Sequence, residues 1–469
     1  MTQRTVGGVQ SNRPRTVGAL RDSGPAHRSV KAEIRDNLLA RLGAGQQCFP
    51  GIVGFDETVL PQLERALLAG HDLVLLGERG QGKTRLMRTL LGLLDEWAPL
   101  VEGCEINDHP YAPVCVRCRR LADEMGDDLP VAWRHRSERY AEKLATPDTS
   151  VGDLIGDIDP IKIAEGRTLG DPETVHYGLV PRTNRGVFAI NELPDLAERI
   201  QVSLLNVLEE RDIQVRGYVL RLPLDVLLVA SANPEDYTNR GRIITPLKDR
   251  FGAEIRTHYP VDLVDEISLV VQEAELQAAV PDHLLEVIAR FTRSVRESPA
   301  VDARSGVSAR FGIAGAETVA ASALRRAAIT GEATPIARVS DLPGIVETLR
   351  GKVEFEASEE GRENDILAHL LRRATADTFR ARVSGTDLSG LIARFEDGAT
   401  VETGELVPAH ELLSQIGPVT GLAELLRRVG VREESPEPAA AALEFAMEGL
   451  HLNRRLGKEQ LDGKAVYGA

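Results

Sequence analysis

Apolar positions change their spacing along the chain, and the changes mark its parts. Ile34, Leu38, Leu39 and Leu42 recur at helical intervals. A loop signature, Phe49-Pro50-Gly51-Ile52-Val53-Gly54, follows, and Val59, Leu63 and Leu67 then mark one face of a second helix. The run Leu73-Val74-Leu75-Leu76 reads as a buried strand ending in glycines. Strand and helix signals alternate to about Pro260, with strands at Val187–Ile190 and Val226–Ala230 and a helix over Leu196–Glu210. That rhythm predicts an α/β domain with a mostly parallel sheet over residues 31–262. Strand signals fade afterwards, predicting a helical lid domain over 263–350 and a mostly helical C-terminal segment over 351–469. A break at Ser435-Pro436-Glu437-Pro438 precedes a stripe of Leu443, Met447 and Leu450 that reads as core. Residues 1–30 carry Arg4, Arg13, Arg15, Arg21 and Arg28 against one acid, Asp22, and read as a flexible basic arm.

Composition narrows the function. The 469 residues hold 71 acidic and 56 basic side chains, a formal charge of -15, and only 4% aromatics. This disfavours nonspecific coating of nucleic acid and long base-stacking surfaces. No apolar run is long enough to span a bilayer, and the N-terminus lacks the apolar core of a signal peptide, so the expectation is a cytoplasmic protein. Four cysteines are too few for a disulfide scaffold of this size.

The sharpest chemical signal is Gly77-Glu78-Arg79-Gly80-Gln81-Gly82-Lys83-Thr84. It matches the phosphate-loop pattern in full, with a strand before it and a helix marked by Leu86, Leu90 and Leu93 behind it. Glycines let the backbone curl round phosphate oxygens, and the helix start adds a favourable dipole end. Lys83 is placed to reach the β- and γ-phosphates of ATP and Thr84 to ligate Mg²⁺. A second strand, Gly186–Ile190, ends in Asn191-Glu192, where a nucleotide hydrolase carries a Mg²⁺-holding residue and a water-polarising carboxylate. Asn191 is neutral, which weakens the hold on Mg²⁺. A third strand ends at Asn233, whose amide is suited to orienting water. Arg250, in Leu247-Lys248-Asp249-Arg250-Phe251-Gly252, is a candidate for stabilising the transferring phosphoryl group from a neighbouring subunit; Arg240 and Arg242 are weaker candidates.

Together these motifs resemble the AAA+ ATPases, specifically the magnesium-chelatase ATPase subunit and MoxR-like proteins, over roughly residues 45–350. The resemblance implies that Glu192 is the catalytic glutamate, Asn233 the sensor 1 residue and Arg250 the arginine finger. Asn191 departs from the family's aspartate. Arg310 is the best match to the sensor 2 arginine of the lid, with Arg304 as the alternative. Residues 152–177 would form an insert in helix 2 and 212–223 a hairpin before sensor 1. The resemblance further implies a homo-hexameric ring with ATP between subunits. It also implies remodelling of a protein client, such as one with a von Willebrand factor A domain.

Cys115-Val116-Arg117-Cys118 has the spacing of a zinc knuckle, with Cys104 and His109 upstream. The four residues Cys104, His109, Cys115 and Cys118 would suit a structural Zn²⁺ in an insertion over 100–120. Free buried cysteines and a redox pair are the alternatives. Two rival functions also stand. A nucleic-acid motor is kept open by Arg216, Arg221 and the basic arm. A nucleotide-dependent scaffold with weak hydrolysis is kept open by Asn191.

Overall fold

The computed structural model describes residues 13–24, 26–166, 174–209, 213–215, 218–220, 222–234, 242–302, 306–431, 435–461 and 464–468. Arg4, Arg216, Arg221, Arg240 and Arg304 lie outside these, as does the part of the helix 2 insert at 167–173. The chain divides into two units, one of residues 1–78 and 82–258, the other of 79–81 and 259–469.

In the first unit, eleven strands are named in chain order: β1 (Leu73–Leu76), β2 (Trp97–Val101), β3 (Val131–His135), β4 (Tyr140–Leu144), β5 (Gly156–Ile158), β6 (Val175–Tyr177), β7 (Gly186–Asn191), β8 (Ile213–Val215), β9 (Tyr218–Leu220), β10 (Val226–Ala232) and β11 (Ala253–Arg256). Five of them form one sheet in the order β11-β1-β10-β7-β4, every neighbouring pair parallel. Parallel pairing needs crossovers, so both faces are covered and the strands read as continuous apolar runs. Alternate residues then enter two cores. Leu73, Leu75, Val187, Ala189, Leu227 and Val229 pack with the helices Val30–Gly43 and Val59–Ala69. Val74, Leu76, Phe188, Ile190, Leu228 and Ala230 pack on the other side with the helix Glu198–Glu209. The helix behind the phosphate loop is shorter than the leucine spacing predicts: Lys83–Thr89 is α-helical and Leu90–Leu93 tightens into a 3₁₀ turn.

The basic arm is corrected over its described part. Thr16 caps a short helix, Val17–Asp22, whose Val17 and Leu20 are buried. Val17 N–H donates to the Leu129 carbonyl, Val131 N–H to Arg15, and Trp133 Nε1 to Pro14 at 2.8 Å. Arg13 lies 3.8 Å over the Trp97 ring, and Arg28 forks onto Asp95. Arginines suggested a solvated tail; here their planar groups stack and pair.

The second unit carries a sheet of three further strands, β12 (Val401–Thr403), β13 (Gly457–Leu461) and β14 (Lys464–Gly468), in the antiparallel order β12-β14-β13. Among the described residues, the rest of its regular structure is helical. The expected division into a lid at 263–350 and a separate segment at 351–469 is not observed. One hydrophobic core runs from Val270 through Leu367 and Phe445 to Tyr467. The helix Pro436–Leu452 lies in its centre, buried from Pro438 to Leu450, which accounts for its alanines and for the Leu443, Met447 and Leu450 stripe. Gly449 is forced by packing: a Cβ there would meet the Phe379 ring at 2.0 Å.

Candidate functional site: a phosphate loop beside two polar strand ends

The loop leaves β1 at Gly77, whose N–H donates to the Ala232 carbonyl at the end of β10. Gly80 and Gly82 hold φ of +74° and +76°, a left-handed conformation that side-chain-bearing residues adopt only under strain. Gly82 starts the helix Lys83–Thr89 in that conformation. Residues Arg79–Gln81, the apex of the loop, group with the second unit.

Four sequence-predicted side chains meet in two pairs. Lys83 Nζ donates to Asn233 Oδ1 at 2.8 Å, to the Glu78 carbonyl at 2.7 Å and to the Gly77 carbonyl. Thr84 Oγ1 lies 3.1 Å from Asn191 Oδ1. Parallel pairing of β1, β10 and β7 brings these residues to one sheet edge, because all three strands end on the same side. Asn191 and Asn233 are both buried. Glu192 follows β7 with φ +57°, a conformation costing about 1 kcal/mol or more for a residue with a Cβ. Its N–H donates to Ser231 Oγ at 3.2 Å.

Two neighbours of Asn191 were not foreseen. Ser231, on β10, donates to Asn191 Oδ1 at 3.2 Å. Glu142, on β4, accepts from Asn191 Nδ2 at 2.7 Å. The network therefore turns the Asn191 oxygen toward Thr84 and its amide nitrogen toward Glu142. Arg88 forks onto Glu142 at 2.8 and 3.0 Å, and Tyr140 O–H donates to it at 3.0 Å. Burial would raise the Glu142 carboxyl, but the Arg88, Tyr140 and Asn191 donors outweigh it and hold it below the ordinary range. The available signal was a carboxylate midway along the short strand Tyr140-Ala141-Glu142-Lys143-Leu144.

Arg250 ends the helix Thr245–Arg250, is exposed, and pairs with Glu209 at 2.6 Å and Asp249 at 3.6 Å. Arg242 is exposed; its carbonyl accepts from Gln201. Arg310, in the second unit, is exposed in the first turn of the helix Ala309–Thr330, where Ser308 caps its N–H.

The cysteine constellation is changed by one member. Ligating atoms of Cys104, Asp108, Cys115 and Cys118 all lie within 4.8 Å of one another, and all four residues are buried. His109 takes no part: its Nδ1 accepts from the Tyr111 N–H, and its ring packs edge-on against His27 and Tyr111. Burial and the Arg185 charge push its pKa down to about 2, so it stays neutral. A tight turn reverses the histidine: a bridge between His109 and Ala112 turns the ring away while Asp108 faces inward. Among the sulfurs, Cys104 accepts from the thiols of Cys115 and Cys118, which lowers its own pKa and raises theirs. Cys48 lies apart, buried among the residues of the helix Val30–Gly43 and its neighbours.

Known proteins resemble parts of this chain. Residues 167–250 match the Sigma-54 interaction domain family. The chain is 27% identical over 242 residues to the magnesium-chelatase subunit ChlI of Nostoc sp., covering 50% of this chain and 61% of that protein. It is 30% identical over 251 residues to the magnesium-chelatase 38 kDa subunit of Rhodobacter capsulatus, covering 51% and 63%. It thus spans less than two thirds of these relatives' length. Among solved structures, the complex of BchI and BchD of magnesium chelatase matches at 22% identity and TM-score 0.35, over 68% of this chain and 98% of that one. NtrX from Brucella abortus in complex with ATP matches at 13% identity and TM-score 0.39, over 74% and 67%. The chain is thus similar to magnesium-chelatase subunits over about half of its length, and its parallel five-stranded sheet with a phosphate loop after β1 is an α/β fold.

Proposed function

We propose that the chain binds MgATP at the phosphate loop and hydrolyses it within a ring of identical copies, using the cycle to remodel a protein partner. The observation that carries this reading is the pair of contacts Lys83–Asn233 and Thr84–Asn191, which gather the loop and two strand ends around one point. Lys83 would neutralise the β- and γ-phosphates, and Asn233 would trade its contact with Lys83 for one to the attacking water. Thr84 and Asn191 present two neutral oxygens that fit Mg²⁺ carried in with ATP, a weaker hold than a carboxylate gives. Glu192 is the carboxylate left to polarise water. Arg250 would act in a neighbouring copy, exchanging Glu209 for the transferring phosphoryl group, and Arg310 would serve as the lid arginine. A partner with a von Willebrand factor A domain remains the client class suggested by the family likeness.

Phosphate release by the purified chain tests this reading. Glu192→Gln should lower kcat about 10²–10³-fold while leaving nucleotide binding intact, and Lys83→Ala should abolish binding. Equal phosphate release from wild type and Glu192→Gln would instead establish a nucleotide-dependent scaffold. Stimulation by DNA, with none by a von Willebrand-type protein, would establish a nucleic-acid motor.

A further inference from the structure

We propose that Cys104, Asp108, Cys115 and Cys118 bind one Zn²⁺, and that this ion staples the insertion that braces β7 and β10 at their starting ends. A tetrahedral site with Zn–S bonds of about 2.3 Å sets its ligand atoms about 3.8 Å apart. Four potential ligand atoms mutually within 4.8 Å meet that requirement with small adjustments. The donors come from three separate pieces of chain: the turn after β2, the loop at Asp108, and the start of the helix Val116–Met125.

A second observation points to a cation independently of the sulfurs. Asp108 is wholly buried. Its Oδ2 accepts the N–H groups of Val114 and Cys115 at 3.0 and 2.9 Å, whereas its Oδ1 is buried with no hydrogen-bond partner. A carboxylate oxygen removed from water without a partner costs several kcal/mol, at about the scale of a buried charge, and a bound cation removes that cost. Outer contacts of the kind that orient ligands are present as well. Asp108 N–H donates to Cys104 Sγ and Cys118 N–H to Cys115 Sγ, both at 3.3 Å. A disulfide between any two of the sulfurs would leave the third thiol and the Asp108 oxygen unanswered.

The brace lies between the ligands. Asn107 Nδ2 donates to the Arg182 carbonyl at 2.6 Å, and Asn184 Nδ2 to the Ile106 carbonyl at 3.0 Å. Asn184 Oδ1 in turn accepts the Asp225 N–H at 2.9 Å, and Arg185 N–H donates to the Asp225 carbonyl. Arg185 also reaches the Pro99 carbonyl on β2. Residues 182–185 lead into β7 and Asp225 leads into β10, so the loop fixed by the ligands sets where both strands begin.

Elemental analysis of the full chain, produced with zinc and without a metal-binding tag, tests the proposal. One zinc per chain is expected in wild type and in His109→Ala, and Asp108→Ala should lose zinc to a competing chelator at least tenfold more readily. Because Cys118→Ser can fail to fold, wild type is also titrated with a mercurial, which should release one equivalent of zinc, and is loaded with Co²⁺. Cobalt should show the visible bands of a tetrahedral site and thiolate charge transfer in the near ultraviolet. Wild type that holds no zinc, or that holds iron, overturns the proposal. So does loss of zinc from His109→Ala alongside its retention in Asp108→Ala. None of these readouts depends on ATP.

Discussion

In the sheet unit the polar side chains Asn191, Glu192 and Asn233 stand at the ends of β7 and β10, where the fold stops and chemistry begins. In the helical unit several charged side chains sit inside the core. Arg326 is fully buried between Asp341 and Glu332, and Arg338 lies against Glu444 on the central helix. Strand ends offer open backbone and a converging geometry, so polar groups there remain available to a ligand. Polar groups inside a helical core are committed to one another, because an unpaired charge in that setting is costly. The contrast separates residues placed to act from residues placed to hold.

The strongest challenge to that division lies in the sheet unit itself. Glu33 forks onto the buried Arg139 at 2.7 and 2.6 Å, and Arg139 Nε donates to the Arg185 carbonyl ahead of β7. Glu33→Ala strands a buried guanidinium, and we expect a loss of about 3–5 kcal/mol in urea unfolding. Both tryptophans, Trp97 and Trp133, belong to this unit, so their fluorescence reports the change there. A loss under 1 kcal/mol would show that the pair holds nothing.

A smaller effect is expected in the helical unit. His283 is fully buried, its Nδ1 directed at the Val429 carbonyl, its ring on Phe445, and its Nε2 without a partner. Burial, more than the nearby Arg382 charge, holds its pKa down to about 3. The unfolded chain takes up this proton below about pH 6.5 while the folded chain does not. Stability is therefore full above pH 6.5 and falls as pH drops toward 3, by about 1.4 kcal/mol per unit, or about 2 kcal/mol at pH 5. Hydrogen exchange of the helix Asp282–Arg296 measured against pH should show that slope, and His283→Gln should flatten it.

The smallest effect sharpens the comparison at the phosphate loop. Asn191→Asp alone sets two carboxylates side by side, since Glu142 already occupies the amide side. We expect the Mg²⁺ half-saturation for ATP turnover to change by less than about threefold. Adding Glu142→Gln relieves the repulsion, and the double variant should need about tenfold less Mg²⁺. A tenfold gain from Asn191→Asp alone would show that Glu142 exerts no influence.

The same contrast explains what the sequence could and could not convey. Phosphate chemistry restricts residue type at fixed spacing, so Gly77–Thr84, Asn191-Glu192 and Asn233 stood out, and the structure brings Lys83 to Asn233 and Thr84 to Asn191. Glu142 was hidden because its meaning depends on which strand lies beside β7, a fact of register and not of local pattern. Asp108 was hidden for a related reason: His109 is the more familiar metal ligand, and only the turn at 109–112 decides which of two adjacent side chains faces the sulfurs. In the helical unit many combinations of leucine and alanine can pack the same helices. Periodicity therefore found the helices without revealing that 263–350 and 351–469 close over one core.

That shared core has a consequence for how the chain comes off the ribosome. Every strand of the five-stranded sheet precedes residue 257, so the sheet unit can close its layers while later residues are still being made. The helical unit has no such option. Its innermost helix, Pro436–Leu452, and its middle strand, β14, are synthesised long after the helices that share their core, and until they arrive the faces of Val270, Leu284 and Leu367 stay open to water. A stalled or truncated chain therefore presents a finished sheet unit joined to an adhesive helical remnant, the kind of half-product that chaperones and proteases recognise.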